Sequence, residues 1–179
     1  MKHLLPILLT LLLLSSCVNQ SGTNNNKQLE TNTCICENDF CDYCVEVVSI
    51  SDGDTFRGLT KDNEEIKFRI YGIDAPEKYQ AFGNKSQQYL SSLIFRKTVG
   101  IKVQSTDHFD RQVVWVYTPD KKNVAAEMLK AGMAWHFKKY DKSKEYAALE
   151  VEARLRRLGL WIDKDPIAPW NFRRNNPRR

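Results

Sequence analysis

Two short acidic segments carry most of the chemistry this chain could perform. One is Asp52-Gly53-Asp54-Thr55 and the other is Ile73-Asp74-Ala75-Pro76-Glu77. Each also has a plain structural reading. Asp-Gly is a common hairpin-turn dipeptide, and Pro76 forces Ala75 into an extended, strand-ending conformation. Brought side by side, the two segments would set Asp54, Asp74 and Glu77 around one point. Carboxylate oxygens gathered in this way suit a hard divalent cation, and a carboxylate that does not ligate the ion can accept a proton. Arg69 precedes Asp74 by five residues, and its guanidinium offers forked donors to an oxyanion.

The elements that must position these groups are legible from patterning. Residues 45–51 and 55–60 read as strands flanking the first acidic segment. Residues 65–71 alternate, with Ile66, Phe68 and Ile70 on one face and Lys67, Arg69 and Tyr71 on the other. Residues 98–103 and 111–117 are two further strands, joined by a polar turn over 105–110. Short strands at this spacing predict a small antiparallel barrel. Helices are expected over 82–96, with Ser86, Leu90, Leu93 and Ile94 near one face, and over 123–131, ending at Gly132. A third is expected over 143–158, with Ala147, Leu149, Val151, Leu155 and Leu158 as its apolar residues. Trp161 and Trp170 read as packing residues that pin an aromatic, Pro-punctuated tail to the body, and His136 reads as packing. His108 falls on the polar turn. The fold class is therefore α+β, over a domain spanning 45–179.

The chain has 179 residues, 27 Lys+Arg, 22 Asp+Glu and 42% hydrophobic residues. That composition excludes a disordered chain, a collagen-like chain and a multi-span membrane protein. Residues 45–179 hold 25 basic and 18 acidic side chains, a balance that suits a polyanionic partner. Residues 1–16 form a short positive segment and a Leu-rich apolar run, which read as a secretion signal. The run breaks at Leu14-Ser15-Ser16-Cys17, a lipobox-like sequence in which Cys17 would carry lipid. The product is expected to be exported and anchored to the outside of a bacterial membrane, with residues 17–33 as a flexible tether. Four cysteines remain over 34–44: Cys34, Cys36, Cys41 and Cys44. Their spacing fits a small disulfide knot in an oxidising compartment, and it is also compact enough for tetrahedral zinc.

The motifs together resemble the staphylococcal nuclease family. They are Asp52-Gly53-Asp54-Thr55, Phe68-Arg69-Ile70-Tyr71-Gly72-Ile73-Asp74-Ala75-Pro76-Glu77, Asp107-x-x-x-Arg111, Glu127 through Trp135, and Gly159-Leu160-Trp161. The resemblance implies a five-stranded OB-type antiparallel barrel with three helices. It also implies a Ca²⁺-dependent endonuclease that hydrolyses DNA and RNA and leaves 3′-phosphates. Asp54, Asp74 and the main-chain carbonyl of Ala75 match the calcium ligands, with Asp52 near the ion beyond them. Glu77 matches the carboxylate that activates or orients water, and Arg69 and Arg111 match two phosphate-gripping arginines. Tyr140 and Phe109 match positions near the bound nucleotide. Phe109-Asp110 stands where the family commonly has Tyr-Gly, which removes a hydroxyl and adds a negative charge beside Arg111. The alternative is a catalytically silent OB-type lipoprotein that only binds nucleic acid through its basic surface.

Overall fold

Inward-facing apolar residues at alternate positions close five strands into a barrel. The computed structural model describes Cys36 and residues 40–177. The expected signal segment 1–16, Cys17, the tether over 17–33, Cys34, Arg178 and Arg179 lie outside the described residues. β1 (Tyr43–Ile50), β2 (Thr55–Leu59), β3 (Glu65–Ile70), β5 (Thr98–Thr106) and β6 (Gln112–Tyr117) form the barrel in the order β1-β2-β3-β6-β5. Val45, Val47, Phe56, Phe68, Ile70, Val99, Ile101, Val114 and Val116 fill it, each 1% exposed or less. Period-two alternation puts all of them on one face of their strands.

The barrel is not wholly antiparallel. β3 and β6 pair in parallel, with Arg69 opposite Val113. A parallel neighbour needs a long crossover rather than a hairpin, and α1 (Gly83–Ile94) and β5 supply it. The periodic pattern of single strands carries no information on direction, which is why the expected barrel was antiparallel throughout.

Two further departures concern helices. α1, α2 (Val124–Lys130) and α3 (Lys144–Leu155) are joined by a fourth, α4 (Pro169–Asn175), where three were expected. Pro169 sits in the first turn of α4, a position that suits its fixed φ. Seven residues are too few to show a period. The buried face of α3 is also different from the expected one. Tyr146, Glu150 and Ala153 face inward, whereas Val151 and Leu155 are 50% and 80% exposed. The i, i+4, i+7 spacing of the true inner face includes a carboxylate, which an apolar search passes over. Glu150 is satisfied there by the His136 N–H at 3.2 Å, Lys138 Nζ at 2.8 Å and Arg154 Nη2 at 3.2 Å.

β4 (Ile73–Asp74) pairs with β7 (Trp135–His136), setting Asp74 opposite Trp135. Trp135 packs edge-on to Trp161 at 4.5 Å and to Trp170 at 5.5 Å between ring centroids. The aromatic tail is thereby fastened beside the second acidic segment. His136, 2% exposed, bonds Asp141 at 2.8 Å through Nε2. Among the described residues, no helix is long and apolar enough to cross a membrane.

Candidate active site

Strand register brings the two acidic segments together. Thr55 pairs with Arg69 across β2 and β3, and the Ile70 N–H donates to the Asp54 carbonyl at 2.8 Å. The β1–β2 turn therefore lies against the end of β3, four residues before Asp74. Gly53 permits the close approach. A Cβ there would lie 1.8 Å from Ser86 Oγ and 2.7 Å from Ala75 Cβ. Ser86 is buried and its Oγ donates to the Met133 carbonyl at 2.7 Å, so it cannot yield cheaply. Gly53→Ala is expected to cost about 1–3 kcal/mol of stability by overpacking, read as a lower urea midpoint. An unchanged midpoint would show that the turn does not depend on this contact.

The charged groups form an alternating chain: Asp54, Arg69, Asp74, Arg173, Glu77. Arg69 Nη1 donates to Asp54 Oδ1, and Arg69 Nη2 donates to Asp74 Oδ1 at 2.8 Å. Arg173 Nη2 meets Asp74 Oδ2 at 2.7 Å, and its Nη1 meets Asp74 Oδ1 at 3.2 Å and Glu77 Oε1 at 2.8 Å. Asp54 Oδ2 also accepts the Ala75 N–H at 2.6 Å, and Thr55 Oγ1 donates to Asp54 Oδ1 at 3.0 Å. Asp52 shapes the turn by accepting the Asp54 N–H at 3.1 Å. Asp54 and Asp74 are 1% and 0% exposed.

Burial of this kind is costly for charge unless it is paired. It pushes the Asp54 carboxyl well above its usual range, against the pull of Arg69 and with added repulsion from Asp52 and Asp74. Burial also opposes the charge on Arg69, but Asp54 and Asp74 outweigh it and hold the guanidinium above its ordinary value. The same balance raises Arg173, where hydrogen bonds to Asp74 and Glu77 overcome desolvation. The acidic trio carries one more charge than its two arginines, and its donors are all oxygen. Such a set fits a hard divalent cation.

Of the residues singled out by sequence, Asp54, Asp74, Ala75, Glu77 and Arg69 are brought together, with Asp52 in the adjoining turn. Arg111 is engaged elsewhere, by Asp107, through Nε at 2.8 Å and Nη2 at 2.7 Å. It lies two residues before Val113, the partner of Arg69, and hence on the same side of β6 by alternation. Asp110 has φ 55°, a left-handed conformation that Asp tolerates. Phe109, 63% exposed, lies over Arg111 at 5.3 Å. Tyr140 is 60% exposed and packs edge-on to Phe137 at 4.9 Å. Cys36 and Cys41 form a disulfide, and Cys44 Sγ lies 3.2 Å from Cys36 Sγ. A disulfide removes two of the thiolates that a zinc site would use.

Arg173 and Trp170 were not foreseen as site residues. The sequence signals only a basic tail, and nothing local links Arg173 to carboxylates almost a hundred residues earlier. Beside Arg173 opens a cavity of about 540 Å³, lined in part by Trp135, Phe137, Lys138, Lys139 and Trp170.

Asp54, Arg69, Asp74, Arg173 and Glu77 thus form one cluster of interleaved carboxylates and guanidinium groups. Residues 67–163 match the family described as staphylococcal nuclease homologue. An uncharacterized endonuclease of Haemophilus influenzae is 45% identical over 128 residues, covering 72% of this chain and 71% of that protein. A micrococcal nuclease of Shigella flexneri is 38% identical over 145 residues, covering 75% and 83%. A staphylococcal-like nuclease of Arabidopsis thaliana is 38% identical over 125 residues, covering 67% of this chain and 38% of that larger protein. The chain belongs to the staphylococcal nuclease family and is a hydrolase of the endonuclease type.

Proposed function

We propose that this chain is a calcium-dependent endonuclease acting on DNA and RNA, leaving 3′-phosphates, and held to the outside of a bacterial membrane by lipid on Cys17. The observation that carries the catalytic part is the meeting of Asp54, from the β1–β2 turn, and Asp74, from β4, on one guanidinium with Glu77 beside them. The Leu14-Ser15-Ser16-Cys17 sequence supports the anchor.

Asp54, Asp74 and the Ala75 carbonyl would hold the ion. Bound there, Ca²⁺ supplies a Lewis acid and a template for the phosphate. Glu77 takes the proton of the attacking water. Arg69 and Arg111 would offer phosphate oxygens the N–H groups that Asp54, Asp74 and Asp107 leave open, with Asp107 fixing the plane of the Arg111 guanidinium. The basic surface retains the rest of the polyanion, in a salt-dependent way. Phe109 offers a ring without a hydroxyl, so it contributes stacking but no hydrogen bond to phosphate.

Few protein oxygens serve this site, whereas Ca²⁺ takes about six to eight ligands. Affinity without nucleic acid is therefore expected in the range of about 10⁻⁴–10⁻³ M, and nanomolar binding by calorimetry would contradict this ligand set. The function itself is tested by incubating the chain with denatured DNA in Ca²⁺ or in chelator. Digestion that requires Ca²⁺ supports the enzyme. Retention of the DNA without cleavage under every ion condition would establish the silent binding protein instead.

A further inference from the structure

Arg173 is the one member of the charged chain that neither the matched family segment nor the hydrolytic reaction accounts for. The family match ends at residue 163, and α4 begins at Pro169. Arg173 sits in the last turn of α4, where a cation is favoured by the helix dipole. From there it makes two hydrogen bonds to Asp74 and one to Glu77. Those are the carboxylates assigned to the metal and to the water, so Arg173 competes for both.

The exposures distinguish the two arginines of the chain. The Arg69 side chain is 16% exposed, whereas that of Arg173 is 39% exposed over an Asp74 that is wholly buried. Arg69 is enclosed between β3 and the acidic turns and cannot leave without abandoning buried charge. Arg173 borders the open cavity shared with Lys138 and Lys139. Its guanidinium can swing there and remain hydrated, or meet a phosphate of a bound strand.

We propose that Arg173 is a resident counter-cation, a latch that neutralises Asp74 and Glu77 until a divalent ion displaces it. The latch rests on the calcium reading above. It keeps buried carboxylates paired in the metal-free chain, which stabilises the fold, and it weakens metal binding by the free energy of the contacts that must break. By linkage, whatever draws Arg173 away raises metal affinity by the same factor. A phosphate backbone in the cavity would do so, coupling substrate arrival to metal capture.

The test is a calorimetric titration of Ca²⁺ into the full chain without nucleic acid, comparing wild type with R173A, R173Q and R174A. Arg174 is next on the same helix and turns to Asn171, so its removal controls for loss of one positive charge near the site. R173A and R173Q should bind Ca²⁺ about fivefold more tightly, the scale of one charge-assisted hydrogen bond at a half-open position. R174A should change by less than about twofold, as expected of a screened charge. Thermal melts give a second reading. In chelator the Arg173 variants should melt below wild type, and they should gain more than wild type on adding Ca²⁺. Equal or weaker affinity in the Arg173 variants, or the same gain in R174A, overturns the latch while leaving the metal site standing. Absence of binding in all four proteins overturns the metal site, and the latch with it.

Discussion

Arg69→Ala should lower stability and activity together, and Ca²⁺ should restore only the first. Among the described residues Arg69 is the one cation paired with Asp54, and it shares Asp74 with Arg173. Removing one partner of a buried ion pair leaves an uncompensated charge, at a cost of about 3–5 kcal/mol. The loss should be near the lower end, because Asp74 keeps Arg173. Its pH dependence has a definite sign. Asp54 already titrates above its ordinary range because burial opposes its charge, and without Arg69 it rises further. A carboxyl raised in the folded state stabilises the fold while protonated and loses that contribution as pH climbs through the folded value. The deficit of the variant relative to wild type should therefore be largest at neutral pH and shrink as pH falls towards about 4, the unfolded carboxylate range. An added divalent ion replaces the missing charge and should recover much of the melting temperature at pH 7. Activity should not follow if Arg69 is the phosphate donor proposed above, since that donor is still missing, a loss on the order of 10²–10³ in rate. Denaturant unfolding with and without Ca²⁺, beside the rate on denatured DNA, reads all of this. A variant as stable as wild type in chelator would show that Asp54 and Asp74 are not held by Arg69.

The parts of this site that sequence reveals are those carried by strand periodicity and turn chemistry. The alternation of Ile66, Phe68 and Ile70 fixes which face of β3 is buried, and hence that Arg69 faces away from the barrel core. The Asp-Gly turn leads into β2 and the Asp-Ala-Pro segment follows β3, its neighbour, through the short β4, so Asp54 and Asp74 fall beyond the same end of the β2–β3 pair. What stays hidden is what depends on long-range pairing. The parallel β3–β6 seam sets Arg111 on the same face as Arg69, yet no local pattern states strand direction. The choice of Asp107 as the Arg111 partner is a matter of loop geometry. α4 is too short for a period, and Arg173 reaches the site only because Trp135, Trp161 and Trp170 dock the tail beside β4. The tryptophans were recognisable as packing residues, but what they carry with them was not. Glu150 shows the same gap from the other side, since a carboxylate on the inner face of α3 is intelligible only once His136, Lys138 and Arg154 are seen around it.

Glu77→Gln should remove cleavage while sparing nearly everything else. Gln keeps an acceptor oxygen for Arg173 Nη1, which meets Glu77 Oε1 at 2.8 Å, and the side chain is partly exposed, so the fold has little reason to change. Asp54 and Asp74, the proposed ion ligands, are untouched. A neutral amide cannot take a proton from water, and the loss of a positioned general base is on the order of 10²–10⁴ in rate. The expected result is a kcat lower by about 10³, with retention of denatured DNA and melting temperature close to wild type. Calcium affinity should rise slightly rather than fall, because Arg173 loses its charged second partner and yields Asp74 more readily. That sign separates two ways in which Glu77 could matter. If it were mainly an ion ligand, the substitution would weaken Ca²⁺ binding, and excess Ca²⁺ would restore the rate. If it handles the proton, no concentration of Ca²⁺ restores it. A Gln variant that cuts within about tenfold of wild type would remove Glu77 from the reaction and leave it a structural role, as in its ion pair with Arg173.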